Sequence, residues 1–430
     1  MLKNKAFSRR VIPILIFGVL YNFFYSGLQN DHLNVITPYF SALGWSDLQI
    51  TNPTTYAAFA SVLFFLIFGS IMVKLGPVRV MVVSMLVQGL ATIGVGLSEQ
   101  IDNYVFYAVC LFLVRLLVIP LQMGCAMMCT NWFVKYRGRV MGIVTIGSPL
   151  FSICGIAILT FLVNRMGLKV GYTMLGGVLL LLALATLLAI KDKPERVGLY
   201  PDGADQPPID ESEEETITIG ELARDSRFWK VVVSYGLLQF IITALMSYFM
   251  VRFTGLNMDT DVVLKWLSVG AACGIVMSYV LGWVDDKVGS IKASWLLCGL
   301  YLFAIIPMAI MPEGGNGFLL FLWAFGVACM TGGCPTMHPC INAYLYGRKK
   351  FQAANRWIMT AQGVILAFAV YYMAAFSTAG KLTWAYWGLL ILLAVAFITL
   401  LTMKNIPDAD LENREYAKNN SRSNVQHDQF

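Results

Sequence analysis

Of the 430 residues, 58% are hydrophobic and only 13% are charged, against about 25% charged in soluble domains, which excludes a soluble globular fold. The net charge of +6 does not point to nucleic acid, because the basic residues fall on loops between apolar runs. The nine cysteines lie within those runs and read as small buried side chains, not as a disulfide framework.

A membrane-spanning helix needs about 20 mostly apolar residues, and twelve stretches qualify. The first, 11–37, comes after MLKNKAFSRR, which has the form of a signal-peptide start. No small-residue cleavage site comes after it, so this helix is expected to be retained. It carries Tyr21, Tyr25, Gln29 and His32 at helical spacing, on one face. A polar stripe on a membrane helix has to face protein or a water-filled cavity. Asp31 and His32 are candidates to carry a proton, although a wetted helix end accounts for Asp31 equally well.

The second and third stretches, 51–73 and 78–98, are joined by Gly69-Ser70-Ile71-Met72-Val73-Lys74-Leu75-Gly76. The fourth, 103–131, contains Arg115, about 18 Å from Asn103 at the helical rise of 1.5 Å per residue. A charge at that depth costs roughly 2.5–3.5 kcal/mol on insertion scales and needs a reason. It either anchors a substrate carboxylate through two parallel hydrogen bonds or ties the helix to carbonyls and neighbours. Gln122 in the same helix is a further candidate contact. Cys125 and Cys129 share a face, but no histidine or carboxylate lies close in sequence, and no metal is expected.

Stretches 139–163 and 170–190 complete an N-terminal half, 1–190. A polar segment, 191–227, contains Pro207-Pro208 and the acidic run Glu211-Ser212-Glu213-Glu214-Glu215 and reads as a solvated linker. The C-terminal half, 228–404, supplies stretches 228–252, 262–284, 291–312, 317–345, 352–376 and 383–403, and the polar tail 405–430 reads as disordered. Arg252, in the last turn of the seventh helix, either attracts anions at an outer gate or simply snorkels to the surface, and the second is the expectation. Between the eighth and ninth lies Gly282-Trp283-Val284-Asp285-Asp286-Lys287-Val288-Gly289, a second copy of the earlier loop 213 residues on. An internal repeat at half the chain length marks a two-halved transporter. In the tenth helix, Gly332-Gly333-Cys334-Pro335 and His338-Pro339 interrupt the helical pattern. This segment is expected to be irregular and to line the path, with His338 as a contact.

Both loops, G-x-x-x-(D)-K-x-G, resemble the motif between the second and third helices of each half of the major facilitator superfamily, except that Val73 replaces the usual aspartate. Trp132-Phe133-Val134-Lys135-Tyr136-Arg137-Gly138, Gly142, Gly147, Gly27-Leu28-Gln29, Phe228-Trp229, Gly347-Arg348-Lys349 with Phe351, and Thr360-Ala361-Gln362-Gly363 are similar to segments of the monocarboxylate and oxalate/formate branch. The resemblance implies an all-α membrane protein of twelve helices in two pseudo-symmetric six-helix bundles. It further implies transport of a small monocarboxylate-like anion by alternating access, with proton coupling or exchange. Oxalate carriers place cations where this chain has Gln362 and Ser278, so these become candidate substrate contacts and oxalate a poor substrate. The family's loop aspartate sits against a helix N-terminus of the opposite half. Asp286 would thus latch near Gly138, with Gly69, Lys74, Gly76, Gly282, Lys287 and Gly289 shaping the two loops. Val73 leaves the other latch uncharged, which implies a bias toward opening at that end.

Lysine and arginine divide twenty-five to five between the two sides, which predicts both termini in the cytoplasm. No nucleotide-binding loop or nucleophile–base arrangement is present, so neither an enzyme nor a cofactor is expected. The expected partners are a small organic anion, protons and the lipid bilayer, without nucleic acid, for a monomeric carrier. A carrier of larger amphipathic acids and a non-transporting sensor on the same scaffold are the rival readings.

Overall fold

Inside lipid a backbone has to satisfy its own N–H and C=O groups, and the chain does so with helices. The computed structural model describes residues 5–45, 47–101, 103–203, 217–404, 406–407 and 409. The proline pair, the acidic run and nearly all of the tail lie outside the described residues.

Helix one runs Lys5–Ser26, passes through a π turn at Gly27–Asp31 and continues as Leu33–Ala42. Helices two and three are Asp47–Leu75 and Pro77–Ile101. Helix four is Tyr104–Leu116 and then Val118–Trp132. Helix five is built from Arg137–Val144, Gly147–Leu150, a π turn Phe151–Gly155 and Ile156–Met166, and helix six is Leu168–Ala189. Helices seven, eight and nine are Ser226–Thr254, Thr260–Val288 and Ser290–Ile310. Helices ten and eleven form one run, Gly317–Ala367, divided by non-helical backbone at Gly347, and helix eleven continues as Ala369–Thr378. Helix twelve is Leu382–Leu401.

These twelve helices form two six-helix bundles. One buried core draws almost wholly on residues 7–190 and the other on residues 222–403. The sequence repeat is also a repeat of backbone geometry. Left-handed turns recur at Gly44 and Asn257, Gly76 and Gly289, and Gly167 and Gly380. Asn103 and Asn316 each cap a helix by accepting two backbone N–H bonds. Every one of these pairs is 213 residues apart, so the two halves correspond without a net insertion from helix one to helix twelve.

Two expectations need correction. The tenth helix is not interrupted at its glycines and prolines: Gly317 to Tyr346 is continuous, with Pro335 and Pro339 inside it. Gly332 and Gly333 serve close packing instead. A Cβ on Gly332 would lie 2.6 Å from the Gly274 carbonyl oxygen and 2.8 Å from Ser278 Oγ. The irregular backbone lies elsewhere, in the π turns of helices one and five, where Gly27 packs on the Phe151 ring, and at Leu117. There Pro120 has no N–H for the Leu116 carbonyl, and helix four breaks.

The second correction concerns the described start of the linker, 191–203, which is folded against the N-terminal half. Asp192 is 2% exposed and caps helix three by accepting from Val78 N at 2.7 Å. Asp202 accepts from Lys135 N at 2.8 Å, and Gly203 lies on the Phe7 ring. A carboxylate facing unpaired amides at a helix start, as Asp192 does, gains from the helix dipole, and Asp202 satisfies amides of the turn before helix five; polarity read from sequence reveals neither. We call this end of the molecule, with residues 74–79, 132–139 and 286–292, the motif face.

Candidate functional site

Between the bundles lie two connected chambers that share Tyr25, Gln29, Gln122, Gln239, Thr243, Met359 and Leu366. The lower, of about 200 Å³, reaches Met141, Thr145, Pro339 and Asn355. The upper, of about 520 Å³, extends to Thr54, Thr55 and Ser247, away from the motif face.

Arg115 lines the upper chamber, in the last turn before the break that Pro120 imposes on helix four. The break frees carbonyls at a helix C-terminus, where a cation is favoured. Yet Gln88 in helix three fills the structural role, its Nε2 donating to Val114 O at 2.8 Å. Among the described residues Arg115 makes no hydrogen bond or ion pair, and no aspartate or glutamate lines either chamber. The guanidinium is a cation in a cavity without an anion.

The stripe of helix one is divided. Tyr25 and Gln29 line both chambers, whereas Tyr21 is buried and donates to Thr186 Oγ1 at 2.9 Å. A π turn adds a residue and rotates the remainder of the helix about its axis. Past it, His32 is fully buried with Nδ1 3.3 Å from the Tyr172 hydroxyl, and Asp31 Oδ2 accepts from Ser26 Oγ at 3.3 Å. Gln122 lines both chambers and His338 the lower one, where its ring stacks on Tyr235 at 5.3 Å.

Ser278 and Gln362 are not brought to the cavity wall. Ser278 is wedged where helices five, eight and ten meet, its Oγ donating to Gly274 O at 2.9 Å and Gly332 O at 3.2 Å. Gln362 is 2% exposed and donates to Val231 O at 3.1 Å. Arg252 braces the C-terminal bundle, donating to Met308 O and Thr383 Oγ1. The sequence reading missed Asn22, Asn355, Gln239 and Thr243 as lining residues. A signal existed for two of them: Gln239, Thr243 and Ser247 recur every fourth residue along helix seven, the spacing of one face.

Below the cavity the motif face is closed. Asp286 accepts from Gly138 N at 2.8 Å and Arg139 N at 3.1 Å, so a carboxylate of helix eight caps helix five. Above this cap, Gly282 meets the Gly138 carbonyl and a Cβ on Gly142 would lie 2.5 Å from Ser278 O. Thr145 and Thr336 then join the bundles at 2.6 Å. Across the pseudo-axis Val73 offers no charge. Arg348 closes the gap, donating to Asn131 O at 2.9 Å and to Glu195 at 2.8 Å. Arg356 donates to Ser70 Oγ at 2.9 Å, with its side chain against Gly69. Lys74 is exposed, and Lys287 lies over the Trp283 ring.

Asp286→Asn is expected to favour opening of the motif face. Loss of a charge at a helix N-terminus costs about 0.3–2 kcal/mol, equivalent to a shift of roughly 2- to 30-fold in the closed-to-open ratio. Labelling of single cysteines placed at the two cavity mouths measures it; equal labelling in the variant would reduce Asp286 to a turn-forming residue.

The Major Facilitator Superfamily model matches residues 15–349. Among solved structures, the E. coli fucose:proton symporter FucP is similar at TM-score 0.67 and 15% identity, over 91% of this chain and 98% of that one. The proton:xylose symporter XylE, bound to 6-bromo-6-deoxy-D-glucose, is similar at TM-score 0.71 and 13% identity, over 93% of this chain and 97% of that one. At such identities the likeness is one of fold. A search of curated protein sequences finds no significant match.

Proposed function

This chain belongs to the major facilitator superfamily, and from that premise we propose that it carries a small, monocarboxylate-like organic anion across the cytoplasmic membrane by alternating access. The observation that carries the reading is Arg115, a guanidinium on the wall of the central cavity with no partner among the described residues. A half-buried cation near mid-membrane without a counter-ion is costly, and a substrate carboxylate supplies one with matching bidentate geometry. The lysine and arginine asymmetry puts both termini in the cytoplasm, which makes the conformation with a closed motif face the outward-facing one. The resemblance to the monocarboxylate and oxalate/formate branch points the same way. Counterflow in proteoliposomes with a panel of carboxylates tests the reading, and a chain that binds acids without exchanging them would be a sensor.

A neutral sugar is the second reading. Its support is the likeness to FucP and XylE, which are described as proton symporters of fucose and xylose. It leaves Arg115 without a role. Sugar exchange unaffected by loss of Arg115 would favour it.

Transport proceeds by exchange or with proton coupling, and for coupling the proposed carriers are His338 on the cavity wall and His32, since histidine is the side chain whose unperturbed titration lies nearest neutrality. Replacing both with glutamine is expected to remove stimulation of uptake by an acid-outside gradient while counterflow persists. An unchanged gradient response in that double variant would place coupling elsewhere, with Asp31 next.

A further inference from the structure

The cavity holds more than an anchor for a carboxylate. Its walls present carboxamides from four helices: Asn22 and Gln29 on helix one, Gln122 on helix four, Gln239 on helix seven and Asn355 on helix eleven. Gln122 and Gln239 make no hydrogen bond to the protein among the described residues. Each of these two offers both a donor group and an acceptor, which is what a hydroxyl needs, since it donates and accepts at once. An alkyl chain against these groups would strip their water and return nothing. Size argues the same way. The upper chamber alone, at about 520 Å³, falls in the range of roughly 300–1,000 Å³ that ligands of drug size fill. An acid of two or three carbons would occupy a fraction of it.

We propose that the substrate is a polyhydroxylated carboxylate, of the sugar-acid class, held with its carboxylate on Arg115 and its hydroxyls on Gln122 and Gln239. This rests on the proposed anion function and narrows it. Specificity arises from the unpaired amides: a site built to hydrogen-bond hydroxyls rejects an analogue that lacks them, because its polar groups are then left desolvated and unsatisfied. The cation in turn disfavours the matching neutral sugar.

The test compares three compounds of about six carbons in proteoliposome counterflow and in thermal shift of the detergent-purified protein. These are galacturonate, galactose and hexanoate, with gluconate as an open-chain control. Wild-type protein is expected to exchange galacturonate or gluconate at least tenfold better than hexanoate or galactose. Gln122→Leu and Gln239→Leu place apolar groups where lipid-inserted helices tolerate them. Each is expected to lower sugar-acid exchange about tenfold, the worth of one hydrogen-bonded contact, without lowering that of hexanoate. Hexanoate exchanged as well as the sugar acids, with the glutamine variants affecting both alike, overturns this inference and leaves the anion reading standing. Galactose exchanged as well as galacturonate, and unaffected by Arg115→Gln, overturns both. No response to either sugar acid by well-folded protein also overturns the inference, and the wider carboxylate panel then decides the anion reading separately.

Discussion

Arg115→Gln is expected to lower carboxylate transport between about 30- and 5,000-fold, with the protein still inserted and folded. Truncating one partner of a desolvated, hydrogen-bonded charge pair costs about 2–5 kcal/mol, and each 1.4 kcal/mol is about tenfold. Folding should be spared because Arg115 holds no other part of the protein: Gln88, not Arg115, satisfies the Val114 carbonyl at the helix-four break. Arg115→Lys keeps the charge but loses the planar fork, and should fall between wild type and glutamine. Counterflow normalised to the amount of reconstituted protein measures all three. Wild-type rates in a well-inserted Arg115→Gln variant would reduce the arginine to a packing residue.

Gly282→Leu is expected to slow exchange by disfavouring closure of the motif face. Gly282 and Gly138 bring the backbones of helices eight and five into direct contact, and a side chain at 282 would occupy the place of the Gly138 carbonyl. Overpacking a tight contact costs about 1–3 kcal/mol, a shift of roughly 5- to 150-fold toward the open motif face. Cavity cysteines should then label more readily from that side, while exchange, which requires both conformations, falls by up to the same factor. Gly299→Leu is the control, because nothing lies within 4 Å of a Cβ there, and it should transport normally. Equal transport by Gly282→Leu would mean that the bundles can close with helices five and eight further apart.

Residues such as Gly282 and Arg115 show how far composition and pattern reach. Twelve apolar stretches and a loop repeated 213 residues apart were enough for the architecture, because the bilayer leaves a chain of this composition almost no alternative to paired bundles of spanning helices. A charge in an apolar run was likewise enough to single out Arg115, since desolvation is costly wherever the residue ends up. Direction within a bundle was not legible. Periodicity put Tyr21, Tyr25, Gln29 and His32 on one stripe, but the π turn at Gly27–Asp31 divides it, and a π turn depends on what packs against it, here Phe151 of helix five. Ser278 and Gln362 were placed by analogy with cations that line a cavity. Their surroundings decide otherwise, because Gly142, Gly274 and Gly332 close tightly around Ser278. Tertiary contact also decided that, within a segment that reads as a loop, Asp192 caps helix three and Asp202 holds the turn before helix five. It decided as well that Arg348 and Arg356 supply the closure that Val73 cannot. The membrane dictates which segments are helices; which side chains face the cavity is set by close packing between segments far apart in the chain, and a linear pattern does not encode it.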